Sequence, residues 1–150
     1  MFASLKEPDL LDRQSFTEHL GNVEKIVFID DDPVYQNLFK AVGESMGFTI
    51  KTYSSLEEMI SFASLKDYDF AIFDYYLDNF KGIEIAEYAD VFFPDLPVFL
   101  ISADDSLISR SICPKSVKRF FSKNADPYNI LEEAILVVQK IKYYEELSKR

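Results

Sequence analysis

Three short runs of apolar residues, Ile26–Ile29, Phe70–Phe73 and Val98–Ile101, constrain this chain more than any other feature. Each is about one strand long, carries no polar residue, and is rich in branched and aromatic side chains. That pattern belongs to strands buried on both faces of a parallel sheet. Parallel neighbours cannot be joined by tight hairpins, so the segments between them must cross over the sheet, usually as helices. Thr49–Tyr53 alternates polar and apolar residues, as a half-exposed edge strand does, and Arg119–Ser122 fits the opposite edge.

The intervening segments carry helix signals. Asp32 is placed to cap a helix whose first residue is Pro33. Val34, Leu38, Ala41 or Val42, and Ser45 or Met46 then follow at helical spacing until Gly47. Ser54 or Ser55 is placed to cap a second helix through Leu56, Met59, Ile60 and Ala63. Gly82 precedes a third, with Ile83, Ile85, Ala86 and Ala89. Asp126 and Pro127 open the last, which carries Ile130, Leu131, Ile135, Val138 and Ile141 and runs on through Tyr143–Leu147. The segment 104–118 is serine-rich and broken by Pro114, which predicts only a short helix. The expected fold is α/β: a flavodoxin-like, doubly wound, five-stranded parallel sheet of order 2-1-3-4-5 with helices on both faces.

Length and composition set the remaining bounds. The 150 residues, 48% of them hydrophobic, suffice for one domain with a sizeable core. We read 1–22 as an N-terminal extension, 23–142 as the domain, and 143–150 as a helical extension or linker. No apolar run can span a bilayer, and the first residues do not read as a secretory signal. Cys113 is the single cysteine and cannot form an internal disulfide, which suits a reducing cytoplasm. His19, the single histidine, lies outside the alternating region. A net charge of −10 argues against a general nucleic-acid surface, which needs clustered Lys and Arg.

In a doubly wound fold, ligands bind at the carboxyl ends of the strands where strand order reverses. Those ends carry Asp30 and Asp31 after the first run, Asp74 after the third strand, Ser102 after the fourth and Lys123 after the fifth. Carboxylates with water and a backbone carbonyl make a hard oxygen shell suited to Mg²⁺. A hydroxyl and an ammonium can hold the oxygens of a transferring phosphoryl group.

The ordered set Ile26–Pro33, Asp69–Asp74 with Gly82 eight residues on, Val98–Ala103 and Phe120–Lys123 resembles the receiver domain of two-component response regulators, over Lys25 to Lys142. The resemblance implies that Asp74 accepts a phosphoryl group from a histidine kinase or a histidine phosphotransfer protein, in a two-component or phosphorelay pathway. It implies Mg²⁺ held by Asp30, Asp31, Asp74 and the backbone carbonyl of Tyr76. Ser102 takes the place of the switch hydroxyl, Phe120 of the switch aromatic, and Lys123 of the lysine that contacts the phosphoryl group. Such a domain is a self-phosphorylating switch with slow autodephosphorylation, not an enzyme in the ordinary sense. In the family, the face formed by the fourth helix, fifth strand and fifth helix dimerises or contacts a protein effector or an attached output domain.

Two positions depart from the family pattern: Asp78 stands where Pro is common, and Asn124 follows Lys123 where Pro commonly follows. A non-proline cis peptide costs about 3 kcal/mol, so a trans loop or local strain is expected there. The departures leave open a degenerate receiver that acts only as an interaction module. Asp30–Val34 also fits the Asp-x-Asp-x-Val pattern of haloacid-dehalogenase-type phosphatases, with Asp30 as nucleophile and Asp32 as general acid. That reading gives Asp74 no task.

Overall fold

In the computed structural model, residues 23–59, 61–77, 81–104, 106 and 114–149 are described. Among these residues five strands, β1 (Lys25–Ile29), β2 (Thr49–Tyr53), β3 (Phe70–Asp74), β4 (Val98–Ser102) and β5 (Val117–Ser122), alternate with three α-helices: α1 (Pro33–Ser45), α2 (Gly82–Phe92) and α3 (Pro127–Ser148). The strands form one sheet of order β2-β1-β3-β4-β5, and every pairing is parallel. This is the flavodoxin-like arrangement expected from the alternation. The three central strands are buried almost end to end, whereas β2 and β5 are only partly covered.

Alternate side chains along each strand serve opposite faces of the sheet. On one face Ile26, Phe28, Phe70, Ile72, Phe99 and Ile101 pack with Phe39 of α1 and with Ile130, Leu131 and Val138 of α3. On the other, Val27, Ile29, Ala71, Phe73, Val98 and Leu100 pack with Ile85, Ala86 and Ala89 of α2 and with Leu65. A one-residue slip of any central strand would exchange these two sets, so the register is firmly specified.

Helix starts follow the sequence closely. Asp32 caps α1, its carboxylate accepting from the N–H groups of Val34 and Tyr35, with Pro33 in the first turn. Asp126 caps α3 through the N–H of Tyr128. Gly82 is the first residue of α2 rather than its predecessor, with Lys81 at the cap.

Three expectations need correction. The buried stripe of α1 is Phe39 and Gly43, with Tyr35, Val42 and Met46 packed beside it. Val34 and Leu38, expected to face inward, are 75% and 44% exposed. The helix face is thus rotated by one residue from the reading above. Among the described residues no α-helix lies between Ser54 and β3; turns lead to a 3-10 helix over Phe62–Asp67, and Ile60 lies outside the described residues. Finally, β5 starts at Val117, two residues before the expected edge strand. Among the described residues no peptide bond is cis, so the Lys123–Asn124 bond is trans. The N-terminal extension 1–22 with His19, residue Asp78, and most of the segment before Pro114, including Cys113, lie outside the described residues.

Candidate functional site

The carboxyl ends of β1, β3, β4 and β5 bring the site residues together. Asp30 prolongs the β1 ladder by one bond, its N–H donating to the Tyr53 carbonyl at 3.0 Å. Its side chain is fully buried. Oδ1 accepts from the Asp32 N–H at 2.9 Å, and the backbone carbonyl accepts from Gln36 Nε2. Gln36 also reaches Ser54 Oγ at 3.2 Å, which ties the β1–α1 turn to the end of β2.

Asp74 closes β3 and is 6% exposed. The chain then doubles back. Tyr75 N–H donates to the Ile101 carbonyl, the Gly82 N–H donates to the Tyr75 carbonyl at 2.7 Å, and Tyr76 pairs with Lys81. The turn leaves Tyr76 N–H 3.4 Å from Asp74 Oδ1. Its carbonyl, assigned by resemblance as a metal ligand, therefore belongs to the first turn after the acid.

Lys123 follows β5, anchored by its N–H to the Ser102 carbonyl at 2.9 Å. Its ammonium lies 2.7 Å from Asp30 Oδ2 and 3.1 Å from Asp74 Oδ2. Burial disfavours that ammonium, but Asp30 and Asp74 outweigh it and hold Lys123 above its ordinary pKa. Burial and the nearby Asp30 charge push the Asp74 carboxyl up to about 7, with Lys123 acting in the opposite direction. Ser102, fully buried at the end of β4, accepts from the Asp104 N–H at 3.0 Å through its hydroxyl oxygen. That bond does not use the hydroxyl proton. Phe120 is half-buried and stacks on Tyr75, with ring centroids 5.8 Å apart.

The donor set fits a divalent cation. Ligand oxygens of Asp30, Asp31 and Asp74 lie within 4.8 Å of one another, Asp31 at the solvent edge and the other two buried. With Asp30 and Asp74 both ionised, the Lys123 ammonium balances one of these two buried charges, and buried like charges are costly without a counterion. Asp30 Oδ2 in particular is buried and makes no hydrogen bond of acceptable geometry. Lys123 holds it by charge at 2.7 Å. The short contact is better described as an ion pair than as a directed bond.

Asp32, the general acid of the phosphatase alternative, spends its Oδ1 on the N-terminus of α1. Three neighbours of the site were not singled out from sequence: Gln36, Tyr75 and Tyr35. The Tyr35 ring lies 4.7 Å from Lys123 Nζ, and its buried hydroxyl has no hydrogen-bond partner. Only the correct phase of α1 would have turned Tyr35 inward.

Comparison with known proteins bears on the family and the fold. No curated protein sequence matches the chain. A CheY-like receiver domain protein from Methanospirillum hungatei is similar in structure, with 20% identity and a TM-score of 0.70 over 83% of this chain and 99% of that one. The Thermotoga maritima response regulator TrrA, solved with Mg²⁺ and BeF, shows 22% identity and a TM-score of 0.68 over 77% and 98%. CheY in a CheX–CheY–BeF3–Mg²⁺ complex from Borrelia burgdorferi shows 22% identity and a TM-score of 0.65 over 76% and 88%. The family model described as the response regulator receiver domain matches residues 26–135, and the chain belongs to that family.

Proposed function

We propose that the chain receives a phosphoryl group on Asp74 from the phosphohistidine of a sensor histidine kinase or a histidine phosphotransfer protein. The observation that carries this reading is the convergence of Lys123 on both Asp74 and Asp30 at the strand ends. In the transfer, an Asp74 carboxylate oxygen attacks phosphorus, the new O–P bond forms as the P–N bond to imidazole breaks, and the product is an acyl phosphate. Asp74 must be ionised to attack, and the adjacent ammonium favours that form. Asp30, Asp31, Asp74 and the Tyr76 carbonyl would hold Mg²⁺. Bound there, the metal supplies positive charge against the phosphoryl oxygens. Lys123 reaches the same oxygens from the β5 side. The trapped Mg²⁺ and BeF complex of TrrA supports the assignment by similarity.

The added charge would draw the Ser102 hydroxyl inward from its bond with Asp104, and the Phe120 ring would follow. The surface around β5 and α3 is then the output face, offered to an effector, an output domain or a second copy. Autodephosphorylation is slow, turnover of other substrates is not expected, and the site of action is the cytoplasm. A merely structural, degenerate receiver is disfavoured by the convergence of acceptor, acids, hydroxyl and lysine.

Incubation with acetyl phosphate and Mg²⁺, read by intact-mass spectrometry, should add one phosphoryl group. Asp74→Asn should abolish the adduct and Asp32→Asn should leave it. An adduct that survives Asp74→Asn, or phosphate-ester turnover lost with Asp32→Asn, would overturn the reading.

A further inference from the structure

Tyr35 stands beside the site yet has no place in the transfer just described. Its ring is wedged against two fully buried aromatics, with centroids 6.0 Å from Phe28 and 5.1 Å from Phe39. This packing fixes the ring plane. Lys123 Nζ lies 4.7 Å from the ring centroid, within the reach of a cation–π contact, which strengthens as the cation loses water. The lysine side chain is only 17% exposed. The tyrosine hydroxyl makes no hydrogen bond, so the ring is the engaged part of the side chain. An aliphatic residue would fill the same space without offering the ammonium an electron-rich face.

We propose that Tyr35 is a positioning residue for Lys123, its ring holding the ammonium where Asp30 and Asp74 converge. Two carboxylates alone attract a flexible ammonium without confining it. The ring supplies a further wall, rigid because Phe28 and Phe39 hold it. Its consequence for phosphorylation rests on the receiver reading; the placement of Lys123 does not.

Two measurements on the whole chain test this. In metal-free protein, the ring current of Tyr35 should shift the Lys123 Cε methylene signal upfield. Tyr35→Leu should remove that shift, and Tyr35→Phe should restore it. With Mg²⁺ present, Tyr35→Leu should weaken beryllofluoride binding and slow phosphorylation by acetyl phosphate by about 2- to 30-fold, with rescue by Tyr35→Phe. Tyr35→Met, close in volume, replaces the leucine variant if that one does not fold. A Lys123 signal unmoved by removal of the ring, or Tyr35→Phe behaving like Tyr35→Leu, would overturn the proposal. Wild-type protein that binds no beryllofluoride would count against the receiver reading, while the Lys123 signal would still decide the role of Tyr35.

Discussion

A β-carbon built on Gly82 would fall 2.1 Å from the carbonyl oxygen of Asp74 and 2.8 Å from its carbonyl carbon, because the chain folds back to bring Gly82 against the turn after β3. Backbone cannot step aside as a side chain can. Gly43 makes a useful contrast, since its added β-carbon would meet the flexible end of Ile50. Gly82→Ala should therefore cost about 1–3 kcal/mol in urea unfolding and slow phosphorylation by displacing Asp74. Gly43→Ala should cost less, because Ile50 can turn and alanine favours the helix by about 1 kcal/mol. Equal losses from the two substitutions would contradict this account. At this scale the sequence was largely readable: acids, hydroxyl and lysine at strand ends announce themselves by type and position. Tyr35 did not, because Val34 and Leu38 made an equally regular apolar stripe one residue away. Choosing between the two phases of α1 needs the tertiary contacts of Phe39, which no local pattern contains.

Among the described elements α3 is the longest, and it is secured near both ends. Asp126 caps its start, and near its end Lys142 pairs with Asp69, which also accepts from the N–H groups of Glu24 and Lys25 at 2.8 and 2.9 Å. One carboxylate thus joins the entry to β1, the entry to β3 and the last turns of α3. Burial pushes the Asp69 carboxyl up, but Lys142 and the two N–H donors outweigh it and leave it below the usual carboxylate range. Since the folded-state value lies below that of the unfolded chain, near 3.9, this stability is present above that pH and is lost as pH falls through the folded-state value. Asp69→Asn should lower stability by about 1–3 kcal/mol at neutral pH and speed amide exchange over the last turns of α3. The difference from wild type should begin to shrink as pH falls below about 4 and vanish only below the folded-state value. A difference that instead grows in acid would contradict the assignment. The second expected helix failed for a local reason. Glu58 N–H donates to Ser55 Oγ and Glu58 Oε2 accepts from Ser54 N–H, a helix start that is not propagated. Ser61 then caps the 3-10 turn through the Ala63 N–H. Serines offer the backbone such alternatives to a continuous helix, and apolar spacing does not register them.

For the molecule as a whole, a net charge of −10 and a cluster of three acids make the response to divalent cations a test of where charge matters. A site that binds Mg²⁺ only when folded adds about 2.7 kcal/mol at a hundred times its dissociation constant, and chelation removes it. We expect Mg²⁺ to raise the melting temperature of wild type and to do little for Asp30→Asn. An equal rise in both, matched by NaCl at the same ionic strength, would trace the effect to screening of the general negative charge. The fold class was visible in outline because three apolar runs without polar interruption admit few arrangements, and right-handed crossovers leave fewer.

The central sheet also acts as a bulkhead between two aromatic and aliphatic holds. Ile72 faces one and Phe73 the other, yet both precede the same acid, Asp74, at the strand tip. Substitutions on opposite sides share few partners, so their effects should simply add, whereas neighbours within one hold should not. Each hold can thus be refitted separately by drift while the ladder of backbone hydrogen bonds keeps the acid at its station.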